Sequence, residues 1–262
     1  MKLTFYKYEG AGNDFIILDN RKGDLAEILK PHTIKVLCDR HFGIGADGLM
    51  SLQSKNDYDF EMLYFNANGK EGTMCGNGGR CIVAFAKRLG LIEQETNFLA
   101  VDGPHYAKIS VNDKWVSLKM IDVCDIGDDG SATVTNTGSP HYVLRVTDLK
   151  NKDVFNDGRN IRYSERYKRD GINVNFVEDM GDHYFVRTYE RGVEDETLAC
   201  GTGVTAVAIS MAKAKNLRGE ITTSLRVPGG DLKVRFKYDG EKFTGIFLEG
   251  PAAFVFEGAI NV

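Results

Sequence analysis

Polar and apolar residues alternate through "KLTFYKY" (Lys2 to Tyr8), and a two-residue period predicts a half-buried strand. Similar short runs follow in "DFIILD", "DGLMSLQ" and "YDFEMLYFN", each ending in turn residues. From Asp24 to about Arg40 the apolar spacing becomes helical, with Pro31 dividing the segment. A second helix is predicted from about Gly78 to Leu89, with Gly90 as its C-terminal stop. Strands are then predicted in "TNFLAV", "HYAKISV" and "KWVSLKM". The acidic, glycine-bearing "DVCDIGDDGSA" marks a candidate domain boundary, and Asp122 to Gly130 a candidate hinge. Beyond it the order starts again: strands in "HYVLRV", "INVNFVE" and "HYFVRTYE", then a helix from near Gly201 through "VTAVAISMAKAKN". Three or four strands close the chain, from "GEITTSLRV" to "AAFVFEGAI". Strands, one main helix, strands, and the same again predict an α+β fold with an internal repeat rather than alternating βαβ units.

The repeat is visible in the letters. "EGTMCGNGGRCIVAFA" (Glu71 to Ala86) lies beside "DETLACGTGVTAVAIS" (Asp195 to Ser210) at an offset of 125 residues. Aligned on Cys75 and Cys200, both read Cys-Gly-x-Gly before a small or apolar helix. A glycine-rich turn entering a helix exposes backbone N–H groups at the positive end of the helix dipole, which suits an anion. The same field favours a thiolate, so a cysteine there has a lowered pKa. Two such turns from two half-domains would face each other across a cleft and hold one carboxylate, with a sulfur on each side of the adjacent carbon. That arrangement fits inversion at the α-carbon: one thiolate removes the proton, and the other thiol delivers one to the opposite face. The helix N-termini would stabilise the charge building on the carboxylate. A lone cysteine beside a glycine turn is ordinarily a buried small residue; two in matched repeats favour the chemical reading. Neither copy has the G-x-x-x-x-G-K-[ST] of a phosphate loop.

Composition narrows the field. The 262 residues suit one large or two modest domains, and a net charge of -4 with a pI near 5.8 argues against a general nucleic-acid binder. No apolar run is long enough to span a membrane, and the N-terminus reads as a strand rather than a signal peptide. Five cysteines at irregular spacings predict a reducing, cytoplasmic setting. Cys38, Cys81 and Cys124 are expected in the core. "GIGADG" (Gly43 to Gly48) matches G-x-G-x-x-G, but a strand follows it, so a turn or a loop lining the cleft is expected and not a dinucleotide site. Cys75 and Cys81 are too far apart for a compact zinc pair, and no metal is expected. His141 is either part of a plain turn or an imidazole aimed into the cleft. Glu190 and Arg191 are either a solvated pair or partners for the ammonium and carboxylate of an amino acid; Glu194, Asp195 and Glu196 read as solvated. Asn13, Asn66 and Asn173 sit at or near strand ends, where asparagine commonly serves turns.

Taken together, "GAGNDF", "RHFGIGADG", "FNANGKEGTMCGNGGRC", "NTGSPH", "INVNF", "YERG" and "ACGTG" make the chain resemble the diaminopimelate epimerase family over its whole length. The resemblance implies a cofactor-independent epimerase that interconverts LL- and meso-diaminopimelate in lysine and cell-wall biosynthesis. It implies two pseudo-symmetric lobes, each a barrel-like, mostly antiparallel sheet around a central helix, that close on the substrate. The lobes would be residues 1–119 with about 251–262, and 120–250. Cys75 and Cys200 match the two catalytic cysteines. Gly76 and Asn77, with Gly201 and Thr202, match backbone donors to the reacting carboxylate. Asn13, Asn66, Asn173 and Arg191 match substrate-binding positions, the last three at the distal amino acid end. His141 and Glu190 match polar groups beside the reacting centre. A homodimer is implied by the resemblance alone. Two positions depart from the family: many members have Asn where this chain has Ser139, and Gln where it has Gly48. Two rivals stand beside this reading. One is a proline or hydroxyproline racemase of the same layout, and the other is a non-catalytic ligand-binding or thiol-redox protein.

Overall fold

The computed structural model describes residues 1–72, 74–112 and 114–262, so Thr73 of the first cysteine motif lies outside the described residues. In chain order the first elements are β1 (Lys2–Gly10), β2 (Asn13–Asp19), α1 (Pro31–Cys38), β3 (Gly48–Gln53), β4 (Phe60–Asn66) and α2 (Gly76–Arg88). Then come β5 (Glu95–Ala100), β6 (Gly103–Ile109), β7 (Trp115–Lys119), β8 (Ile126–Asp129), β9 (Ala132–Asn136) and β10 (Pro140–Arg145). The next are α3 (Val154–Arg162), β11 (Asn173–Asp179), β12 (Tyr184–Glu190), β13 (Asp195–Thr197) and α4 (Gly201–Ala214). The chain closes with β14 (Gly219–Val227), β15 (Gly230–Tyr238), β16 (Phe243–Pro251) and β17 (Ala253–Asn261). These elements fall into two compact units: residues 1–118 with 250–262, and residues 119–249.

Within the first unit the strands pair in the order β17, β1, β2, β3, β4, β5, β6, β7. Two of those pairings, β2 with β3 and β4 with β5, are parallel and the rest antiparallel. In the second unit the order is β8, β9, β10, β11, β12, β14, β15, β16. Its parallel pairings, β10 with β11 and β12 with β14, fall at the same two places. A parallel pair needs a crossover, and here helices supply it: α1 and α2 in one unit, α3 and α4 in the other. The edge position that β8 takes beside β9 is taken beside β1 by β17, from the other end of the chain.

The second helix of each unit is its core. Every residue of α2 from Gly76 to Ala86 is buried, as is every residue of α4 from Gly201 to Ala212 except Thr202. A helix that is small or apolar on all sides is what a sheet curled round it requires. Each fully buried Phe or Ile around it contributes about 1.5–3 kcal/mol through apolar burial.

The structure corrects three sequence expectations. The helix expected from Asp24 begins only at Pro31, because the residue before a proline is driven out of the helical region, and Lys30 is extended. Leu25 and Ile28 are nevertheless buried beside Ile34 and Leu37, which is why the spacing looked helical. Helix α3 was not expected; its Asn, Asp and Gly content hides it, and Asp153 starts it by accepting the Asn156 N–H at 3.0 Å. The "DVCDIGDDGSA" stretch carries strand β8, paired with β9. Cys38 and Cys81 are buried as expected, but Cys124 is exposed, since in its segment only Val123 turns inward, bridged to Phe243.

Candidate active site

Strand β4 and the turn after it deliver Cys75 to the N-cap of α2 in an extended conformation, φ -98° and ψ 126°. Cys75 C=O opens the helix by accepting the Gly79 N–H at 2.7 Å. The N–H groups ahead of that bond have no partner within the helix. Cys75 Sγ donates to Asn13 Oδ1 at 3.7 Å. The orientation of Asn13 is fixed on its other side, where Nδ2 donates to Asp47 Oδ2 at 2.6 Å. Asn77 Nδ2 also donates to Asn13 Oδ1, at 3.3 Å. Beneath them Arg80 is fully buried, and its guanidinium donates to Asn77 Oδ1 at 3.0 Å and to the carbonyls of Gly76 and Pro251, each at 3.3 Å. Burial lowers the Arg80 pKa, yet a guanidinium starts so high that it stays charged.

Asp14 borders this turn and ties three segments together, pairing with Lys7 at 2.7 Å and Arg40 at 2.7 Å. Burial pushes its carboxyl up, but the hydrogen bonds from Arg40 and Lys7 outweigh that and hold it at about 2. Asn66 closes β4, and its Oδ1 accepts from Tyr64 O–H at 3.2 Å. The Tyr64 ring lies between two glycines: a Cβ at Gly48 would stand 2.6 Å from one ring carbon, and one at Gly72 would stand 2.7 Å from another. Gly48 therefore leaves room for the Tyr64 ring, which fills the space a side chain there would need.

Cys200 occupies the N-cap of α4 in the same way, φ -118° and ψ 108°, and its C=O accepts the Val204 N–H at 3.0 Å. Gly203 cannot carry a side chain, since a Cβ would lie 2.3 Å from Asn175 Oδ1 and 3.2 Å from Cys200 Sγ. Thr202 Oγ1 stands 3.6 Å from Cys200 Sγ and 3.1 Å from Ser139 Oγ. Ser139 Oγ is in turn 2.9 Å from His141 Nε2 and accepts from Asn173 Nδ2 at 3.1 Å. His141 lies on β10, wholly buried, where burial first and the Arg191 cation second hold its pKa down at about 3. The imidazole is therefore neutral, and it stands on a strand rather than in a plain turn. Asn173 Oδ1 accepts the Arg191 N–H at 2.8 Å, and the Arg191 guanidinium donates to Asp170 C=O at 2.9 Å. Glu190 Oε2 accepts from Thr197 O–H at 2.9 Å.

The first unit thus gathers Asn13, Cys75, Gly76 and Asn77 at one helix end, with Asn66 held by Tyr64. The second unit gathers Ser139, His141, Asn173, Cys200, Gly201 and Thr202 at another, with Glu190 and Arg191 at the end of β12. Two of the residues expected to be merely solvated are not: Glu196 forks onto Arg187 at 2.6 and 2.7 Å, and Glu194 accepts the Gly192 N–H and pairs with Arg162 at 3.3 Å. Sequence reasoning passed over Tyr64, Arg80 and Asn175. Asn175 had a signal, since it stands two residues after Asn173 on the same face of a buried strand. Arg80 had one too, as a cation inside an otherwise small and apolar helix. Among the described residues no cluster of His, Cys, Asp or Glu is arranged to hold a metal, and no helix is long and apolar enough to cross a membrane.

Comparison with known proteins bears on both the fold and the site. Among solved structures, a PhzF-family phenazine biosynthesis protein of Bacillus anthracis superposes with a TM-score of 0.77 at 15% identity, covering 100% of each chain. A probable proline racemase of Agrobacterium radiobacter superposes with a TM-score of 0.71 at 13% identity, covering 99% of this chain and 93% of that one. At such identities the likeness shows the fold alone, a mixed α+β architecture shared by both. Sequence reaches further. The diaminopimelate epimerase of Flavobacterium psychrophilum is 51% identical over 98% of this chain and 100% of its own. The family model described as diaminopimelate epimerase matches residues 5–123 and 133–255, segments that include both cysteine turns and every site residue described above. The chain belongs to the diaminopimelate epimerase family.

Proposed function

We propose that the protein is a cofactor-independent isomerase that interconverts LL- and meso-2,6-diaminopimelate by a two-base mechanism. The observation that carries the reading is the pair of cysteines, Cys75 and Cys200, each at the N-cap of a buried helix in a chain of this family. One sulfur, as thiolate, takes the α-proton; the other, as thiol, gives a proton to the opposite face, and the two exchange roles in the reverse direction. The backbone N–H groups of Gly76, Asn77, Gly201 and Thr202 bind the carboxylate next to the reacting carbon, where negative charge grows in the transition state. Asn13 and Glu190 line the reacting end, with His141 behind it. Asn66, Asn173 and Arg191 bind the distal amino acid end, and Ser139 supports Asn173. We read residues 1–119 with about 251–262 as one lobe and 120–250 as the other. A cytoplasmic enzyme, a homodimer and a role in making lysine and cell-wall precursors complete the proposal.

The experiment is solvent exchange. In D₂O the protein should introduce deuterium at the α-carbon of diaminopimelate and none into proline, read by proton NMR. Exchange into proline but not diaminopimelate would replace this substrate with that of a proline racemase. Exchange into neither would return the cysteine pair to the redox or ligand-binding reading.

A further inference from the structure

The polar groups behind Cys200 form a chain whose direction is set at both ends. Asn175 Nδ2 donates to the Tyr142 carbonyl at 3.1 Å, and Asn175 Oδ1 accepts from Thr188 O–H at 3.0 Å, so its amide has one orientation. Its second N–H then points at His141 Nδ1, 3.1 Å away, which must accept. The imidazole proton is left on Nε2 and is donated to Ser139 Oγ. Asn173 is fixed likewise, because its Nδ2 also donates to the Pro140 carbonyl at 3.1 Å and its Oδ1 accepts from Arg191 N–H. Ser139 Oγ therefore accepts from both His141 and Asn173, and its own O–H is turned to Thr202 Oγ1. With that bond accepted, the Thr202 hydrogen is directed at Cys200 Sγ.

We infer that Ser139 is a positioning residue that turns the Thr202 hydroxyl toward Cys200 Sγ and so holds this sulfur ready as the thiolate base. The inference rests on the acid–base role given to Cys200 above and deepens it. A hydroxyl donating to sulfur stabilises the anion and not the thiol. No bond other than S–H and C–H changes: Cys200 Sγ gains the α-proton, and the Thr202 hydroxyl keeps its own. The charged or imidazole groups on the bordering strands are His141 and Arg145 on β10, Glu178 and Asp179 at the far end of β11, Arg187 and Glu190 on β12 with Arg191 just beyond it, and Asp195 and Glu196 on β13; α4 carries no charged residue before Lys213. The test substitutions leave all of these in place. Ser139 Oγ thus accepts twice and still donates.

The test compares Ser139→Ala, Ser139→Thr and Thr202→Val with the parent, in the full-length protein. Iodoacetamide labelling of each cysteine is followed by peptide mass spectrometry, beside kcat and KM for epimerisation. At neutral pH the Ser139→Ala and Thr202→Val variants should label Cys200 about tenfold more slowly, the effect of raising its pKa by about one unit. Labelling of Cys75 should not change. At about pH 10, where the thiol is ionised in all variants, the difference should vanish. The kcat should fall in step with the slow labelling while KM moves less than about twofold, and Ser139→Thr should restore both. A raised KM with unchanged Cys200 labelling would overturn the inference in favour of direct substrate contact. Equal slowing at both pH values would overturn it in favour of a packing role. If Ser139→Ala does not fold, Thr202→Val, which is close in shape and keeps the backbone N–H, decides alone. Either failure would leave solvent exchange by the parent protein intact, so the proposed reaction stands or falls separately.

Discussion

At the turn of α2 the cysteine sulfur meets an amide oxygen, that of Asn13; at the turn of α4 it meets a hydroxyl, that of Thr202. The first partner can only accept a hydrogen, and the second, once Ser139 has donated to it, gives one. Deeper in the helix the contrast continues. At the matched positions Arg80 and Thr205, both fully buried, a guanidinium donates to Gly76 C=O at 3.3 Å in one unit, and a hydroxyl donates to Gly201 C=O at 2.9 Å in the other. Both side chains stitch the same first-turn carbonyl, but only the first brings a charge. The repeat has thus kept the extended N-cap, the sulfur and the glycines, while each unit has built its own polar support behind them. What the two halves share fits the chemistry proposed for both sulfurs; what differs fits two sulfurs prepared for opposite starting roles.

The sharpest way to break this comparison is to remove each sulfur in turn. Cys75→Ala and Cys200→Ala should each lower interconversion of the two diaminopimelate isomers by about 10³-fold, the usual worth of a positioned acid or base. A chiral assay of product against time reads this directly. Near-parental turnover in either variant would mean that one half carries the chemistry without the other, and the shared backbone would then be only a relic of duplication.

A smaller effect tests the supports rather than the sulfurs. Arg80→Met should cost about 3 kcal/mol of stability, because the acceptors of Gly76, Asn77 and Pro251 lose a buried charged donor that water cannot replace. Thr205→Val should cost about 1 kcal/mol, since one hydroxyl bond back to a helix carbonyl is weak and the shape is kept. Urea unfolding midpoints with the same slope would rank the two. Equal losses would show that the charge at Arg80 adds nothing beyond the carbonyl bond that it shares with Thr205.

The difference between the halves also marks what could be read from the letters. The central helices, the strands around them, the repeat and the cysteine turns were legible, because period, small residues and a doubled Cys-Gly-x-Gly are local patterns. The paired parallel crossovers were not, since helix α3 is polar and glycine-bearing and α1 begins at its proline, well inside the expected helix. The supports behind the sulfurs were legible only in part. Asn13 and His141 drew notice as residue types, but that Asn13 presents its oxygen, or that His141 is neutral and protonated on Nε2, depends on which carbonyls stand around them. Such facts are set by packing across strands distant in sequence, and a single chain of letters carries no term for them. Tyr64 is the plainest case: its place against Asn66 depends on two glycines, Gly48 and Gly72, on either side of the ring.

Acid should separate the two units gently, and the sign follows from their buried groups. His141 is held near 3 where an unfolded histidine has a pKa of about 6.5, so the unfolded chain binds more protons between those limits. Its contribution is complete above about pH 6.5 and is lost as pH falls toward 3, with a slope of at most about 1.4 kcal/mol per pH unit. Asp14 is held near 2 where an unfolded aspartate has about 3.9, so its contribution is intact at pH 5 and is lost only as pH falls from about 4 through 2. Between pH 6.5 and 4, then, the histidine of the second unit should dominate this part of the acid response, while the first unit's Asp14 stays silent. His141→Gln, which keeps a polar side chain of similar size but does not ionise, should flatten the fall of the urea midpoint across that range; Asp14→Asn should leave it unchanged. If His141→Gln kept the full parental slope, the imidazole would be taking up its proton in the folded state. Nε2–H and Nδ1–H would then both be donors, Asn175 would have to turn over, and the hydrogen aimed at Cys200 would lose the fixed end from which its direction is derived.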